Sequence, residues 1–326
     1  MSAVLLTGAS GFVGRALWAA LRGHGFTVRA AMRLHSAVEF PPGAEGTQLV
    51  RTGDIGPDTG WSAALPGCDA VVHLAARVHF MRGSGACSQR AFFRTNVEGT
   101  ETLAHAAARA GVRRFVFLSS VKVNGETTRG RAFTEGDPPA PADAYGASKA
   151  EAEERLKKIA GETGMEVVIL RPPLVYGPGV GANFLRLLGA VDAGLPLPLA
   201  AIDNRRSLVY VGNLVSAIES GLTHAGAANH TYLVSDDHDV STPELIRGLA
   251  AALGRNPRLV PVPLALLRIA GKLTGRTEQV GRITESLQVD VSRIKAELGW
   301  RPPFTMPQGL AETAAWYRTL RANYRS

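Results

Sequence analysis

The hydrophobic pattern changes character near residue 171. Before that point, short apolar runs alternate with stretches whose apolar residues recur at helical spacing. Residues 3–7, 27–32, 48–51, 70–74, 114–119 and 166–170 read as strands. They lack the period-two alternation of a half-exposed strand, so both faces are expected to be covered. Residues 12–22, 91–110 and 143–160 read as the helices between them. Strands and helices taking turns predict an α/β fold with a parallel, doubly wound sheet. After Arg171 the texture is different. Pro172, Pro173, Pro178, Pro196 and Pro198 interrupt the alternation, and helices are expected at 183–192, 211–222, 243–253, 264–273, 292–298 and 307–321. This second region reads as a smaller C-terminal, substrate-binding part.

Composition narrows the class. The chain has 326 residues, 45% hydrophobic and 20% charged, which excludes a disordered protein and leaves ample chain for a core. Cys68 and Cys87 are too few for a disulfide scaffold or a four-thiolate zinc site. A reducing, cytoplasmic setting is the expectation. The apolar run at residues 3–6 is too short for a signal sequence. Residues 264–270 are apolar, but Arg268 and Lys272 interrupt the stretch, well short of the ~20 residues that span a bilayer. It reads as an amphipathic helix covering a core. The net charge of +8 is spread along the chain without a basic block, so no nucleic-acid partner is expected. Part of that charge suits a small anionic ligand, since phosphates favour arginine forks.

The candidate chemistry begins at Gly8-x-x-Gly11-x-x-Gly14, which follows the first strand and opens a helix. Gly8 permits a tight turn, Gly11 lets backbone approach a pyrophosphate, and Gly14 lets helix and strand pack closely. The helix start offers free N–H groups and a positive dipole end. The second strand ends in Met32-Arg33-Leu34-His35-Ser36 rather than an acidic residue. Arg33 therefore favours NADP(H) over NAD(H), through a 2′-phosphate. Asp54 follows the third strand and could accept from an adenine amine. Tyr145 and Lys149 stand four residues apart in a predicted helix, on one face. A lysine ammonium there, together with a nicotinamide cation, is expected to lower the tyrosine's pKa from about 10 and equip it for proton exchange during hydride transfer. Ser120 lies where the fifth strand ends, able to position a reacting oxygen.

Six motifs occur in order: the glycine loop, Val72-His-Leu-Ala-Ala76, Asn96-Val-Glu-Gly-Thr100, Leu118-Ser-Ser120, Tyr145-x-x-x-Lys149 and Arg171-Pro-Pro-Leu-Val-Tyr-Gly-Pro178. The set resembles the extended short-chain dehydrogenase/reductase superfamily, in its epimerase/dehydratase group acting on nucleotide sugars. The resemblance implies a Rossmann domain at 1–172, rejoined by 206–236, and a nucleotide-sugar domain at 173–326. It implies a Ser120–Tyr145–Lys149 triad. Cofactor contacts are implied at Ser10, Phe12, Val13, Ile55, Leu74, Ala75, Ala76, Asn96, Pro172 and Val175. Lys122, Asn183, Arg206 and Arg282 are implied on the substrate side, the arginines against a diphosphate.

Two departures sharpen the reading. The pattern Val-Tyr-Gly after the triad serine is Val123-Asn124-Gly125 here. No Asp-Glu pair follows that serine, where 4,6-dehydratases keep their acid and base. The run 119–126 resembles a bacterial surface-polysaccharide subgroup that includes 4-keto reductases. The expectation is hydride transfer at C4 of a UDP-linked sugar, by an NADPH-dependent 4-keto reductase. The alternatives are a UDP-hexose 4-epimerase with retained NAD and a non-catalytic NADP-binding regulator. A homodimer is left open as the assembly.

Overall fold

The computed structural model describes residues 3–33, 47–78 and 85–323. Leu34, His35 and Ser36 lie outside the described residues, as does the Cys87 side chain. The first half forms β1 (Ala3–Thr7), β2 (Thr27–Met32), β3 (Gln48–Arg51), β4 (Ala70–His73), β5 (Arg114–Leu118) and β6 (Glu166–Arg171). β7 (Leu174–Tyr176) and β8 (Leu208–Tyr210) pair in a separate parallel sheet, and β9 (Thr231–Leu233) returns to the main one. The main sheet has seven strands in the order β3-β2-β1-β4-β5-β6-β9, and every pairing is parallel. This is the predicted doubly wound α/β sheet.

Burial on both faces explains the missing alternation. Val4 and Leu6 enter one core with Leu17 and Leu21 of α1 (Phe12–Gly23). Leu5 enters the other, with Leu103 and Ala104 of α3 (Gly99–Arg109) and Leu156 of α4 (Ala144–Thr163). α3 continues from α2 (Gly85–Phe92) through a π-helical turn at Phe93–Glu98, so the expected single helix is three segments. Each fully buried leucine contributes about 1.5–3 kcal/mol. α6 (Val211–Thr223) packs on the α1 side and contributes Leu214 and Ile218.

A third core belongs to the C-terminal region. It joins α5 (Ala182–Asp192), α7 (Thr242–Leu253) and α11 (Met306–Asn323) through Phe184, Leu188, Ile246, Leu249 and Leu310, around Tyr176 and Tyr210. α7 is delimited by a capping box, Ser241 with Glu244, and by Gly254 at φ 68°. α8 (Leu264–Leu273) and α9 (Thr277–Thr284) form a hairpin, and α10 (Ser292–Leu298) leads back to the body. No helix among the described residues is long and apolar enough to cross a membrane.

Candidate active site

A cavity of about 970 Å³ follows the carboxyl edge of the main sheet, spanning the point where β1 and β4 send their connections to opposite sides. Its lining follows the strand order. Asp54 and Ile55 lie beyond β3, Arg33 beyond β2 and the glycine loop beyond β1. Leu74, Ala75 and Ala76 follow β4, Ser119 and Ser120 follow β5, and Pro172 and Val175 follow β6. Ser10, Phe12, Val13, Tyr145 and Lys149 complete the predicted residues that line it.

The glycine loop is sterically determined. Gly8 has φ 73°, and a Cβ there would sit 2.8 Å from the backbone nitrogen of Ala75. A Cβ on Gly14 would sit 2.0 Å from the carbonyl oxygen of Gly8. Gly11 is the N-cap of α1, with no side-chain cap and no acidic residue in the first turn. The helix start therefore presents donors and a positive dipole end, and these residues fit a dinucleotide's pyrophosphate.

Behind the loop, a closed hydrogen-bond chain fixes β4 to β1. The Thr100 hydroxyl donates to the Asn96 carbonyl at 2.7 Å, so it accepts from Nε2 of His73 at 3.0 Å. Nδ1 of His73 then accepts from the Thr7 hydroxyl at 2.7 Å, whose oxygen accepts from the Ala75 backbone at 3.2 Å. Burial first, and the Lys149 charge second, press the His73 pKa down to about 3. Asn96 does not reach the cavity. Its amide is held by the Arg77 backbone at 2.8 and 3.0 Å and by the Ser148 hydroxyl at 2.9 Å, which braces the segment after β4.

Asp143 caps α4 by accepting from the Gly146 backbone at 2.7 Å, and the helix then presents Tyr145, Lys149 and Glu153 at four-residue steps. The protein's own groups raise the tyrosine pKa, so the expected lowering rests on the cofactor's cation as well as on Lys149. Burial, then the Asp143 charge, push Tyr145 up to about 12, and a hydrogen bond with Ser120 offsets only part of that. Burial also lowers Lys149 to about 7, against the raising pull of Glu153. The Lys149 ammonium donates to the Leu118 carbonyl at 2.7 Å and lies 4.3 Å from the centre of the Phe117 ring. Desolvation outweighs the single favourable charge.

The sequence did not reveal what stands behind this helix. Glu153 is fully buried and paired with Arg171, whose Nη2 lies 2.5 Å and Nε 2.9 Å from its oxygens. Glu153 also accepts from Ser119 at 2.5 Å. Arg171 donates to Asn124 at 3.1 Å, and Asn124 donates to the Thr134 carbonyl at 2.9 Å. The Asn124 departure from the family pattern thus completes a buried polar network beneath Ser120.

The four substrate-side candidates do not line the described cavity. Lys122 is held between Glu126, at 2.6 Å, and Asp143. Arg206 donates to the Glu285 carbonyl at 2.9 Å, and burial keeps its guanidinium below its usual range. Arg282 is close enough to Arg206 and Asp143 to act on both electrostatically. Asn183 is exposed in the first turn of α5.

Residues 4–235 match the model of the NAD dependent epimerase/dehydratase family. The chain belongs to that family. It is 44% identical over 324 residues to a UDP-glucose 4-epimerase of Vibrio cholerae, covering 99% of this chain and 97% of the relative. Among solved structures, it is similar to the dTDP-glucose 4,6-dehydratase DesIV of Streptomyces venezuelae, solved with NAD. There the TM-score is 0.78, the identity 29% and the coverage 98% of each chain. MoeE5, solved with UDP-glucose and NAD, matches with TM-score 0.77 and 27% identity, covering 98% of this chain and 100% of that one. This family member is an enzyme, which sets aside the non-catalytic alternative.

Proposed function

We propose that the chain is a UDP-hexose 4-epimerase that keeps NAD through turnover. The observation that carries this is the near-full-length match to the Vibrio cholerae enzyme, together with Ser120, Tyr145 and Lys149 lining one cavity beside the glycine loop. The reading displaces the reductase expected from the sequence. It also displaces NADP(H), because the related structures named above hold NAD and Arg33 is an exposed residue at the cavity's edge. Residues 1–172 with 206–236 are assigned to the dinucleotide and 173–326 to the nucleotide sugar.

In this reading Gly8, Gly11 and Gly14 receive the pyrophosphate, and Asp54 and Ile55 flank the adenine end. When bound, the oxidised nicotinamide supplies a hydride acceptor and a positive charge beside Tyr145. Tyr145, as the phenolate left once its own proton has passed to solvent, takes the proton of the sugar's C4 hydroxyl as C4 loses hydride. It returns that proton after the 4-keto sugar has turned its other face. Ser120 donates to the same sugar oxygen and holds it in reach. Lys149 supplies the second positive charge that the phenolate needs, since Tyr145 in the bare cleft stays protonated at neutral pH. Arg206 and Arg282 neutralise the substrate diphosphate.

The test is to incubate the purified protein with UDP-glucose and no added dinucleotide or reductant. Formation of UDP-galactose, with NAD recovered from the protein afterwards, is expected. Turnover that occurs only with a 4-keto sugar, consuming NADPH mole for mole, would return the reading to a reductase.

A further inference from the structure

The α8–α9 hairpin presents its apolar side outward. In α8, Leu266, Ile269 and Leu273 fall on one face and are 55%, 53% and 83% exposed. The opposite face packs on α9, and only Gly271 of the whole helix is buried. A Cβ at Gly271 would meet a methyl of Val280 at 2.8 Å, so the bare backbone of α8 seats directly against the Val280 side chain of α9. Val260, ahead of α8, and Ile283, on α9, are also exposed, at 43% and 39%. Isolated exposed leucines are ordinary, but an outward helix face made only of them indicates a binding surface.

The charges around this ridge identify the partner. From Leu245 to Thr277 the sequence holds Arg247, Arg255, Arg258, Arg268, Lys272 and Arg276 and no carboxylate. Arg268, Lys272 and Arg276 are exposed and make no ion pair among the described residues. An isologous pairing of two copies through α8 would set these cations against themselves. A surface that is both apolar and anionic complements the ridge on both counts. We propose that α8 docks this enzyme peripherally on an anionic lipid bilayer, with Leu266, Ile269 and Leu273 entering the acyl boundary and Arg268 and Lys272 at the headgroups.

The docking element is tied to the substrate side. Buried Asn204 donates to the carbonyls of Ile283 and Glu285, both at 3.1 Å, and accepts from the Thr242 backbone at 2.8 Å. The hairpin is therefore anchored two residues from Arg206, and α9 carries Arg282. This inference does not depend on which sugar the site accepts.

The test is flotation of the full-length protein with vesicles of phosphatidylglycerol and phosphatidylcholine in equal parts, against phosphatidylcholine alone. Binding to the anionic vesicles only, weakening with salt, is expected. Leu273→Glu should weaken it at least about tenfold, the scale of withholding one leucine from an apolar phase. Arg268→Glu with Lys272→Glu should abolish it. Both variants should keep native melting behaviour and turnover of the soluble substrate, because these side chains are exposed and outside the cleft. Failure of the native protein to bind anionic vesicles overturns the proposal. So does equal binding by the Leu273→Glu protein, or a change in its oligomeric state with vesicle binding unchanged, which would assign the ridge to a protein interface.

Discussion

Replacing Glu153 with Gln tests the buried network most directly. The carboxylate and the Arg171 guanidinium are 1% and 4% exposed at the side chain, so neither charge has water to fall back on. Gln keeps one oxygen for Nε of Arg171 or for Ser119. It turns the other oxygen, now 2.5 Å from Nη2, into a donor facing a donor. Removing one partner of a buried pair leaves the other charge uncompensated and costs about 3–5 kcal/mol. That is a large share of a total stability of about 5–15 kcal/mol. Urea unfolding of Glu153→Gln should show this loss as a lower midpoint at an unchanged slope. The double variant Glu153→Gln with Arg171→Met should recover most of it, because no unpaired charge remains.

A second readout separates structure from electrostatics. Glu153 raises the Lys149 pKa, which stands at about 7 with that help. Without the carboxylate it falls further. Lys149 is charged below its pKa, so any step needing the ammonium is lost at lower pH than before. The alkaline limb of kcat/KM should move acidward in the single variant and stay moved in the double variant. A stability loss under about 1 kcal/mol would refute the buried-charge argument. Unmoved limbs would confine Glu153 to a packing role.

Two further outcomes are expected. Tyr145→Phe keeps the ring packed edge-on to Phe92 at 6.3 Å and removes only the hydroxyl, so NAD binding and melting should persist while kcat falls ~10²–10⁴-fold; full activity would remove Tyr145 from proton transfer. His73 has a native pKa near 3 against about 6.5 unfolded, so the native state binds fewer protons in that window. Its contribution is complete above about pH 6.5 and is lost as pH falls toward 3, with a limiting slope of about 1.4 kcal/mol per unit; unfolding titrations of His73→Gln should show that slope removed, and an unchanged slope would assign the acid sensitivity elsewhere.

What the sequence disclosed depended on how local the cause was. β1 has the predicted ends because a parallel strand buried on both faces is an unbroken apolar run, whereas β3 also has its predicted ends but is a largely exposed edge strand. β7, β8 and β9 are three residues each, too short for any period, and they exist because a distant partner pairs with them. The glycine loop and the Tyr145–Lys149 spacing are local patterns and were legible. The network under them joins residues 18, 34 and 47 positions apart, so nothing in the spacing announced Glu153 or explained Asn124. The rise in the tyrosine's pKa was hidden for the same reason. Its lysine is visible one turn away in the sequence, while the burial that pushes the phenol up belongs to the tertiary fold.

The same limit applies to α8, whose ends were predicted correctly and whose orientation was not. Its residues, LALLRIAGKL, offer apolar side chains on more than one side, and periodicity cannot say which side meets protein. The choice is made by Gly271. Without a side chain there, the helix backbone can settle against the Val280 side chain, with Leu264 and Leu267 on that side and partly covered. An alanine at position 271 would place a Cβ at 2.8 Å from a valine methyl, so the Val280 side chain or the helix would have to shift. Close approach on that side commits Leu266, Ile269 and Leu273 to the outside. An apolar face turned outward by the packing of its own hairpin is a property of the folded chain, and it needs a partner surface of matching chemistry.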